Sequence, residues 1–383
     1  MYRKRLTVFR VSCLIISAAL SLCFLFCGSW NTIKNGRDRI ENMGIFGINR
    51  KQSVIGQDGC TPIQLGATMM WTFGDTIIGA WKGDLSVNAT FEDSAVMKGM
   101  LSNSAAFTDI PDDSNIGNMN FTFYKEKGTV AQFIKPFPGE DPSVWRFWAI
   151  DGIEIEGTVY VYYIIVLIDK NPARKENPGL PLSVKGVGIA EWKIPAGWKT
   201  GDPLNFKRTA KVFLEGEPVF GDAVIRRGSH LFLIGHGPAS RNKVPAFVAR
   251  VPVSSIKKRS CYEFLDAKGQ WTGAIGSAAP VADDVMGEPS ISYNETMKEY
   301  IIIYCSLDGA IKTVQFNDFS MIKDKKTAVL YIPPSLPSVP ARSHLAYYSG
   351  KEIFSTGKAL YAIYINPAIY QPILLKIPYQ CFK

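Results

Sequence analysis

The chain has 383 residues, a formal net charge of +9 and only three histidines. This length is ample for a large folded core. Lys and Arg are scattered along the chain apart from short runs such as 257–259, whereas tracking a phosphate backbone requires a continuous basic face. The composition therefore excludes a nucleic-acid-binding protein, and no nucleic-acid partner is expected.

The N-terminal residues have the pattern of an export signal. An uncharged run over 11–27 is rich in Leu, Ile, Phe and Ala and follows the basic residues Arg3, Lys4, Arg5 and Arg10. A positive segment before an apolar one directs export, but the run is short for a spanning helix, which needs about 20 apolar residues. Residues 1–30 are therefore predicted to be a signal peptide or a membrane anchor, with lipidation at Cys27 as an alternative. We expect a protein that is secreted or tethered to the envelope, outside the cytoplasm.

The remaining cysteines and the histidines do not predict a metal centre. The cysteines lack Cys-x-x-Cys spacing and the histidines lack metal-ligand spacing: Cys60, Cys261, Cys305 and Cys381, and His230, His236 and His344. Neither a zinc site nor a serine-hydrolase elbow is present in the sequence. We expect no cofactor and no metal, and the cysteines are either thiols or members of one or two disulfides.

Strand signals dominate the chain after residue 30. Runs of β-branched and aromatic residues end at Gly, Asn or Asp, as in 68–73, 159–168, 230–234, 300–304 and 359–365. Long helical periodicity is absent from the sequence, and 33 Gly with 23 Pro would interrupt it. This pattern predicts an all-β fold.

One hairpin unit recurs five times, in which a polar opening residue leads through a turn into a strongly apolar strand. The openers are Asp58, Asp151, Asp222, Glu288 and His344, and the interval between the first two is the longest. Such a repeat predicts a five-bladed β-propeller over residues 31–383, because each blade buries its faces against its neighbours. A β-sandwich is the rival fold. The long first interval predicts an insertion between Trp81 and Phe147, with a surface loop at 108–120.

The innermost strand of each propeller blade runs along the central channel, so the five openers are predicted to converge at one mouth of it. Converging carboxylates repel one another unless some are protonated or paired, which is typical of a site for acid and base chemistry. An Asp before Gly also simply makes a turn. Both interpretations stay open for each residue taken singly.

Asp58 and Asp75 form the sharper candidate. Asp58 begins the first strand of its hairpin and Asp75 ends the second, so antiparallel pairing returns both to the same end. Their carboxyl groups can then stand roughly 5 to 9 Å apart, the range that glycosidases use. We predict Asp58 and Asp75 as catalytic residues. The predicted substrate-binding residues are Asp151, Asp222, Glu288, His344, Trp148 and Trp81, the two tryptophans as surfaces for sugar rings.

Several elements together resemble an exported five-bladed propeller family long carried as a domain of unknown function. They are Gly56–Gly59 with Trp71–Thr76, Trp148–Gly152, Val219–Ala223, Gly287–Asn294 and the unit around His344. Characterised members of that family include endo-D-arabinanases, which are glycoside hydrolases with a catalytic carboxylate pair in the first blade. The resemblance implies the same role for Asp58 and Asp75. This chain has Ser343-His344-Leu345 where the family commonly has His-Pro-Glu.

The sequence thus predicts a glycoside hydrolase that cleaves a polysaccharide or glycoconjugate, with an arabinan-like substrate as one possibility. The expected oligomeric state is a monomer. The alternative is a non-catalytic carbohydrate-binding or envelope-scaffold propeller. A phosphorylase is a third hypothesis, for which Arg226 and Arg227 are the adjacent basic pair.

Overall fold

The computed structural model describes residues 39–83, 91–168, 182–239, 243–336 and 346–382. The predicted signal or anchor segment and His344 lie outside these ranges, so what was predicted for them remains a prediction. Within these ranges, no helix is long and apolar enough to cross a membrane. The first strand of this part of the chain is β1 (Glu41–Ile45).

Five antiparallel sheets, blades I to V, follow one another along the chain. Blade I contains β2 (Val54–Leu65), β3 (Thr68–Trp81), β4 (Ala95–Leu101), β5 (Ser104–Asp109) and β6 (Thr122–Phe123), and the hairpin of β7 (Lys125–Glu126) and β8 (Thr129–Val130) follows it. Blade II contains β9 (Trp145–Ile155), β10 (Thr158–Ile168), β11 (Leu182–Lys193) and β12 (Lys207–Leu214). Blade III contains β13 (Val219–Arg227), β14 (His230–His236), β15 (Ala246–Pro252), β16 (Glu263–Leu265) and β17 (Trp271–Thr272).

Blade IV contains β18 (Ser290–Asn294), β19 (Glu299–Cys305), β20 (Ile311–Phe316) and β21 (Lys326–Tyr331), and blade V contains β22 (Tyr348–Ser355), β23 (Ala359–Asn366), β24 (Gln371–Pro378) and β1. The described helical elements are short: α1 (Phe91–Ser94) and 3-10 turns at Ile116–Asn118, Val253–Ser255, Arg259–Cys261, Ile275–Ser277, Phe319–Asp324 and Tyr379–Phe382. The chain is therefore all-β, as predicted.

The first strand of every blade is the inner strand. Going around the ring, β2, β9, β13, β18 and β22 each contact the next, and β22 contacts β2. The five predicted hairpins are β2–β3, β9–β10, β13–β14, β18–β19 and β22–β23, so the five-bladed propeller is confirmed and the sandwich is excluded. The fifth inner strand begins at Tyr348, later than the predicted opener His344.

Continuous apolar runs form the second strands of the blades because these strands are covered on both faces by neighbouring blades. Every residue of β23 is buried. Trp71 in β3 is also fully buried, and its indole Nε1 donates to Thr108 Oγ1 at 2.9 Å. Such aromatic residues pack blade against blade. Cys60, Cys261 and Cys305 form no disulfide.

The ring is closed by β1, the N-terminal strand of the described chain. β1 pairs antiparallel with β24, with Glu41 opposite Lys376 and Ile45 opposite Ile373. Blade V is therefore assembled from both ends of the propeller. The sequence did not predict this pairing, because β1 is short, contains a Gly and is bulged between Asn42 and Gly44.

The predicted insertion of blade I builds a projecting ribbon. β4 pairs with the distal half of β3, from Thr76 opposite Leu101 to Trp81 opposite Ala95. The partner of β3 on its other side, β2, is paired with it only as far as Val54 opposite Ile78. β3 and β4 therefore extend past the inner strand, at the end of the blade where Asp75 lies.

Candidate active site

Bulges in the inner strands position three of the predicted acidic residues. The pairing register shifts between Gln57 and Gly59 in β2, between Ala149 and Gly152 in β9, and between Phe220 and Ala223 in β13. Asp58, Asp151 and Asp222 lie at these shifts. A bulge re-aims a side chain relative to the pleat, and Gly221 adopts a φ of 108° immediately before Asp222. Glu288 precedes β18 and follows Gly287, which has a φ of 81°.

These four carboxyl groups interact around the channel near the start of the inner strands, an end that we call the upper mouth. Burial is the largest cause of the raised pKa of Asp58, Asp151 and Asp222, and the Glu288 carboxylate adds to the rise in all three. Repulsion of this kind falls off with distance, so the four groups share one region of the channel. The structure therefore brings together the predicted acidic residues.

The β2–β3 hairpin places Asp75 beside Asp58, as the strand argument predicted. Gln57 is opposite Thr76 and Gly59 is opposite Phe73, which leaves Asp58 facing Gly74 and Asp75. A Cβ at Gly74 would lie 2.7 Å from Asp58 Oδ1. A side chain at position 74 would therefore displace the carboxyl group of Asp58.

Two tyrosines from blade V hold Asp58. The Tyr370 hydroxyl donates to Asp58 Oδ2 at 2.7 Å, and the Tyr348 hydroxyl donates to the same atom at 3.2 Å. Burial, followed by the charges of Asp75 and Glu288, nevertheless raises the pKa of Asp58 to about 8, and the two tyrosines oppose this rise. The raised pKa favours the protonated form of Asp58.

Asp75 has a different environment and a lower pKa. Burial raises the pKa of Asp75 to about 6, while the Arg146 guanidinium and the Trp148 indole oppose the rise. Asp75 Oδ1 and Trp148 Nε1 complete no hydrogen bond with the described residues, although they lie close enough for the indole to affect the pKa. One acceptor and one donor at the upper mouth are thus left without protein partners in the described part of the chain.

Asp151 is buried beneath the mouth. Its Oδ1 accepts from the Gly152 N–H and its Oδ2 from the Val224 N–H, both at 2.7 Å. Burial raises the pKa of Asp151 to about 7, against these hydrogen bonds and the Lys351 charge.

Asp222 is completely buried and is bound to His236, whose backbone N–H and Nδ1 lie 2.9 and 2.7 Å from Asp222 Oδ2. Asp222 Oδ1 has no partner among the described residues. Such burial suits a group that tunes the proton affinity of its neighbours better than the direct sugar binding predicted from the sequence for Asp151 and Asp222.

A buried lysine compensates part of this negative charge. Lys351 in β22 is 1% exposed, and its ammonium group is bound to Glu288 Oε2 and to Thr61 Oγ1, the latter at 3.0 Å. Burial disfavours the ammonium form, but the Glu288 carboxylate outweighs burial and the pKa of Lys351 is raised. Lys351 therefore remains a cation. It is a positive charge from blade V beside the acidic residues Asp151, Asp222 and Glu288, which we call the acidic layer.

The two predicted tryptophans occupy different positions. Trp148 in β9 lies next to the β2–β3 hairpin, with its Cβ 3.9 Å from the position that a Cβ on Gly74 would occupy. Trp81 lies further out, at the end of β3, where the Arg50 guanidinium stacks over its ring at 5.2 Å. Trp148 is thus the tryptophan that adjoins the carboxylate pair.

The channel continues below the acidic layer as a cavity of about 200 Å³. Asp151, Asp222 and Lys351 border it, together with Glu352 and Ser292. Burial raises the pKa of Glu352 to about 7, and the Ser292 hydroxyl, which is hydrogen-bonded to Glu352 Oε2, opposes the rise.

Sequence reasoning missed five residues of this region: Arg146, His236, Tyr348, Lys351 and Tyr370. Tyr370 lies in the turn after β23, where no strand signal marks it. Lys351 lies inside β22, and the predicted opening residue of that strand was His344. For His236 a signal existed, since Gly235-His236 of the third unit matches Gly74-Asp75 of the first.

The chain belongs to a family defined so far as a domain of unknown function, DUF4185, whose model matches residues 47–376. No curated protein sequence matches the chain. A structure of a proposed hydrolase from Bacteroides ovatus is similar, with a TM-score of 0.59 and 15% identity over 85% of this chain and 86% of that one.

Two further structures are similar at lower scores. One is a GH43_1 enzyme from Xanthomonas citri, with a TM-score of 0.49 and 9% identity over 89% and 90% of the two chains. The other is a family 117 glycoside hydrolase from Zobellia galactanivorans, with a TM-score of 0.45 and 10% identity over 88% of each chain. At these identities the likeness concerns the fold.

Proposed function

We propose that this protein is an exported glycoside hydrolase that cleaves a polysaccharide or glycoconjugate at the upper mouth of its propeller. The observation that carries the proposal is the pair of neighbouring carboxyl groups whose environments give them different pKa values, about 8 for Asp58 and about 6 for Asp75. Two titratable groups separated in this way are suited to opposite roles in acid and base catalysis.

In the proposed mechanism, Asp58 is the general acid and Asp75 is the base or nucleophile. Asp58, protonated at neutral pH, donates its proton to the oxygen of the scissile glycosidic bond. Asp75, ionised at neutral pH, activates a water molecule or attacks the anomeric carbon directly. Trp148 offers a ring face to the sugar next to this pair, and Arg146 favours the ionised form of Asp75.

The test is reducing-end release from a panel of cell-wall and exopolysaccharides, including arabinogalactan, which the family resemblance suggests first. The protein from Asn31 onward is compared with the Asp58→Asn/Asp75→Asn double variant. Release by the wild-type protein and not by the double variant supports a hydrolase. Binding of a polymer by both proteins, with no release by either, would instead support the carbohydrate-binding alternative, because recognition does not require ionisable groups at these positions.

The pH dependence of kcat/KM should be bell-shaped with an optimum near pH 7. Activity should rise with pH through about 6 as Asp75 loses its proton, and fall through about 8 as Asp58 loses its own. The Tyr370 hydrogen bond lowers the pKa of Asp58, so Tyr370→Phe should move the alkaline limb to higher pH. This is measured as initial rates across pH 4 to 10 on the polymer identified above.

The matched control is Tyr379→Phe, which removes a hydroxyl bound to Thr356 O, away from the mouth. It should leave both limbs in place. An alkaline limb that stays fixed in Tyr370→Phe would contradict the assignment of that limb to Asp58.

A further inference from the structure

His236 occupies in blade III the position that Asp75 occupies in blade I. Gly235 is opposite Phe220, and Ile234 is opposite Ala223, so Asp222 lies in the bulge of β13 beside Gly235. From there its carboxyl group reaches His236, the residue after Gly235. In blade I, Asp58 likewise lies at a register shift and faces Gly74 and Asp75, and the Gly74-Asp75 step corresponds in the repeat to Gly235-His236. The internal repeat therefore places a second polar residue from a second strand at the upper mouth.

Asp222 fixes the orientation of the His236 ring. The backbone N–H of His236 and its ring Nδ1 are both bound to Asp222 Oδ2. An acceptor at Nδ1 keeps a proton on that nitrogen. Nε2 is then the polar atom that remains for a ligand. The side chain is 22% exposed, whereas that of Asp222 is completely buried.

The charged groups around His236 favour a protonated ring. Burial disfavours the imidazolium, but the carboxylates of Asp222 and Glu288 outweigh burial and the opposing Lys351 charge, so the pKa of His236 is raised. Below that pKa, Nε2 carries a proton and is a charged hydrogen-bond donor.

Glu288 links His236 to the carboxylate pair. Its charge acts on His236 and also on Asp58. His236 thus borders the same mouth from the blade III side. An oligosaccharide bound against Asp58 and Asp75 would leave a sugar unit within reach of blade III, since a saccharide chain continues beyond the bond that is cleaved.

We propose that His236 is a substrate-binding residue that donates a hydrogen bond from Nε2 to an oxygen of the bound saccharide, while Asp222 holds the ring. This inference rests on the proposed function. It adds a recognition site across the channel from the carboxylate pair, and it makes saccharide binding dependent on protonation of one histidine.

The test follows the imidazole resonances by NMR in the Asp75→Asn protein, which keeps a saccharide intact. The probe is an oligosaccharide fraction from partial acid hydrolysis of arabinogalactan. Addition should shift the His236 resonance and raise its apparent pKa, because the saccharide oxygen stabilises the protonated donor. Asp222→Asn should lower that pKa. The chain has only three histidines, so His→Gln variants assign the resonances.

His230 is the matched control because it lies at the opposite end of the same strand. In the same background, His236→Gln should weaken binding about tenfold, the size expected for one hydrogen bond to a charged donor, and His230→Gln should not. Binding should also weaken as pH rises through the pKa of His236. Saccharide binding that leaves the His236 resonance unmoved overturns this inference alone. Failure of wild type to bind or cleave any polymer of the panel overturns the proposed function together with it.

Discussion

Replacing Asp75 by asparagine should lower kcat on the polysaccharide substrate by about 10³-fold or more. The amide can neither accept a proton from water nor attack a sugar carbon, and a single acid or base contributes roughly 10² to 10⁴ in rate. Asp58→Asn should cause a comparable loss on the polymer, because the sugar leaving group requires protonation. The measurement is the rate of reducing-end release at pH 7.

A leaving group that needs no proton separates the two roles. The second substrate is a 2,4-dinitrophenyl glycoside of the sugar that is released. On it, kcat of Asp58→Asn should fall only about tenfold, since the phenolate leaves without a general acid. Asp75→Asn should remain deficient by about 10³-fold on the same substrate. A reversed pattern would exchange the two roles, and full activity in either variant would remove that residue from the pair.

The control for these variants is Asp324→Asn, an exposed carboxyl group in the 3-10 turn before β21. It should retain wild-type rates. Unfolding midpoints in guanidinium must be compared for all three variants. Asp58 and Asp75 have raised pKa values in the folded protein, about 8 and about 6. Their cost to stability therefore begins as pH rises above the unfolded-state pKa of about 4 and is complete above the folded-state values, so the neutral amides are not expected to destabilise the fold at pH 7.

Replacing Lys351 by methionine should destabilise the protein by about 3 to 5 kcal/mol, the usual cost of removing one partner of a buried ion pair. Glu288 would lose its cation while only 15% of its side chain is exposed. The charges of the neighbouring acidic residues would add to the penalty. The measurement is urea-induced unfolding at pH 7.

Two controls separate loss of the ion pair from loss of packing. The Lys351→Met/Glu288→Gln double variant should regain most of the stability, because no uncompensated charge remains. Lys298→Met breaks the exposed pair with Glu295, whose side chains are 70% and 66% exposed, and should cost less than about 1 kcal/mol. Equal losses in Lys351→Met and Lys298→Met would contradict a buried charge network.

The blades and the proximity of Asp58 to Asp75 could be predicted because their signals are local. The first hairpin is formed by one continuous segment, from Val54 to Trp81. Antiparallel pairing within it is enough to bring Asp58 and Asp75 to the same end. The repeat also located Asp151, Asp222 and Glu288 correctly relative to one another.

The other parts of the site depend on contacts between blades. Tyr370 reaches Asp58 across the junction of blades V and I, a separation of 312 residues. Lys351 is charged, and a charged residue in a strand ordinarily points to solvent, so nothing local indicates its burial. The bulges that aim the acidic side chains are visible only in the pairing register.

The pairing of β1 with β24 has a consequence for how the chain folds. Nearly the whole of the propeller sequence lies between these two strands, and closing so long a loop is entropically costly and slow. Blades I to IV can form as the chain emerges, but β1 stays unpaired until β24 has been made. A linear repeat array loses stability one repeat at a time. Here, a chain that stops before β24 cannot pair β1, so blade V does not form and the ring stays open. The closed propeller therefore requires the whole sequence from β1 to β24.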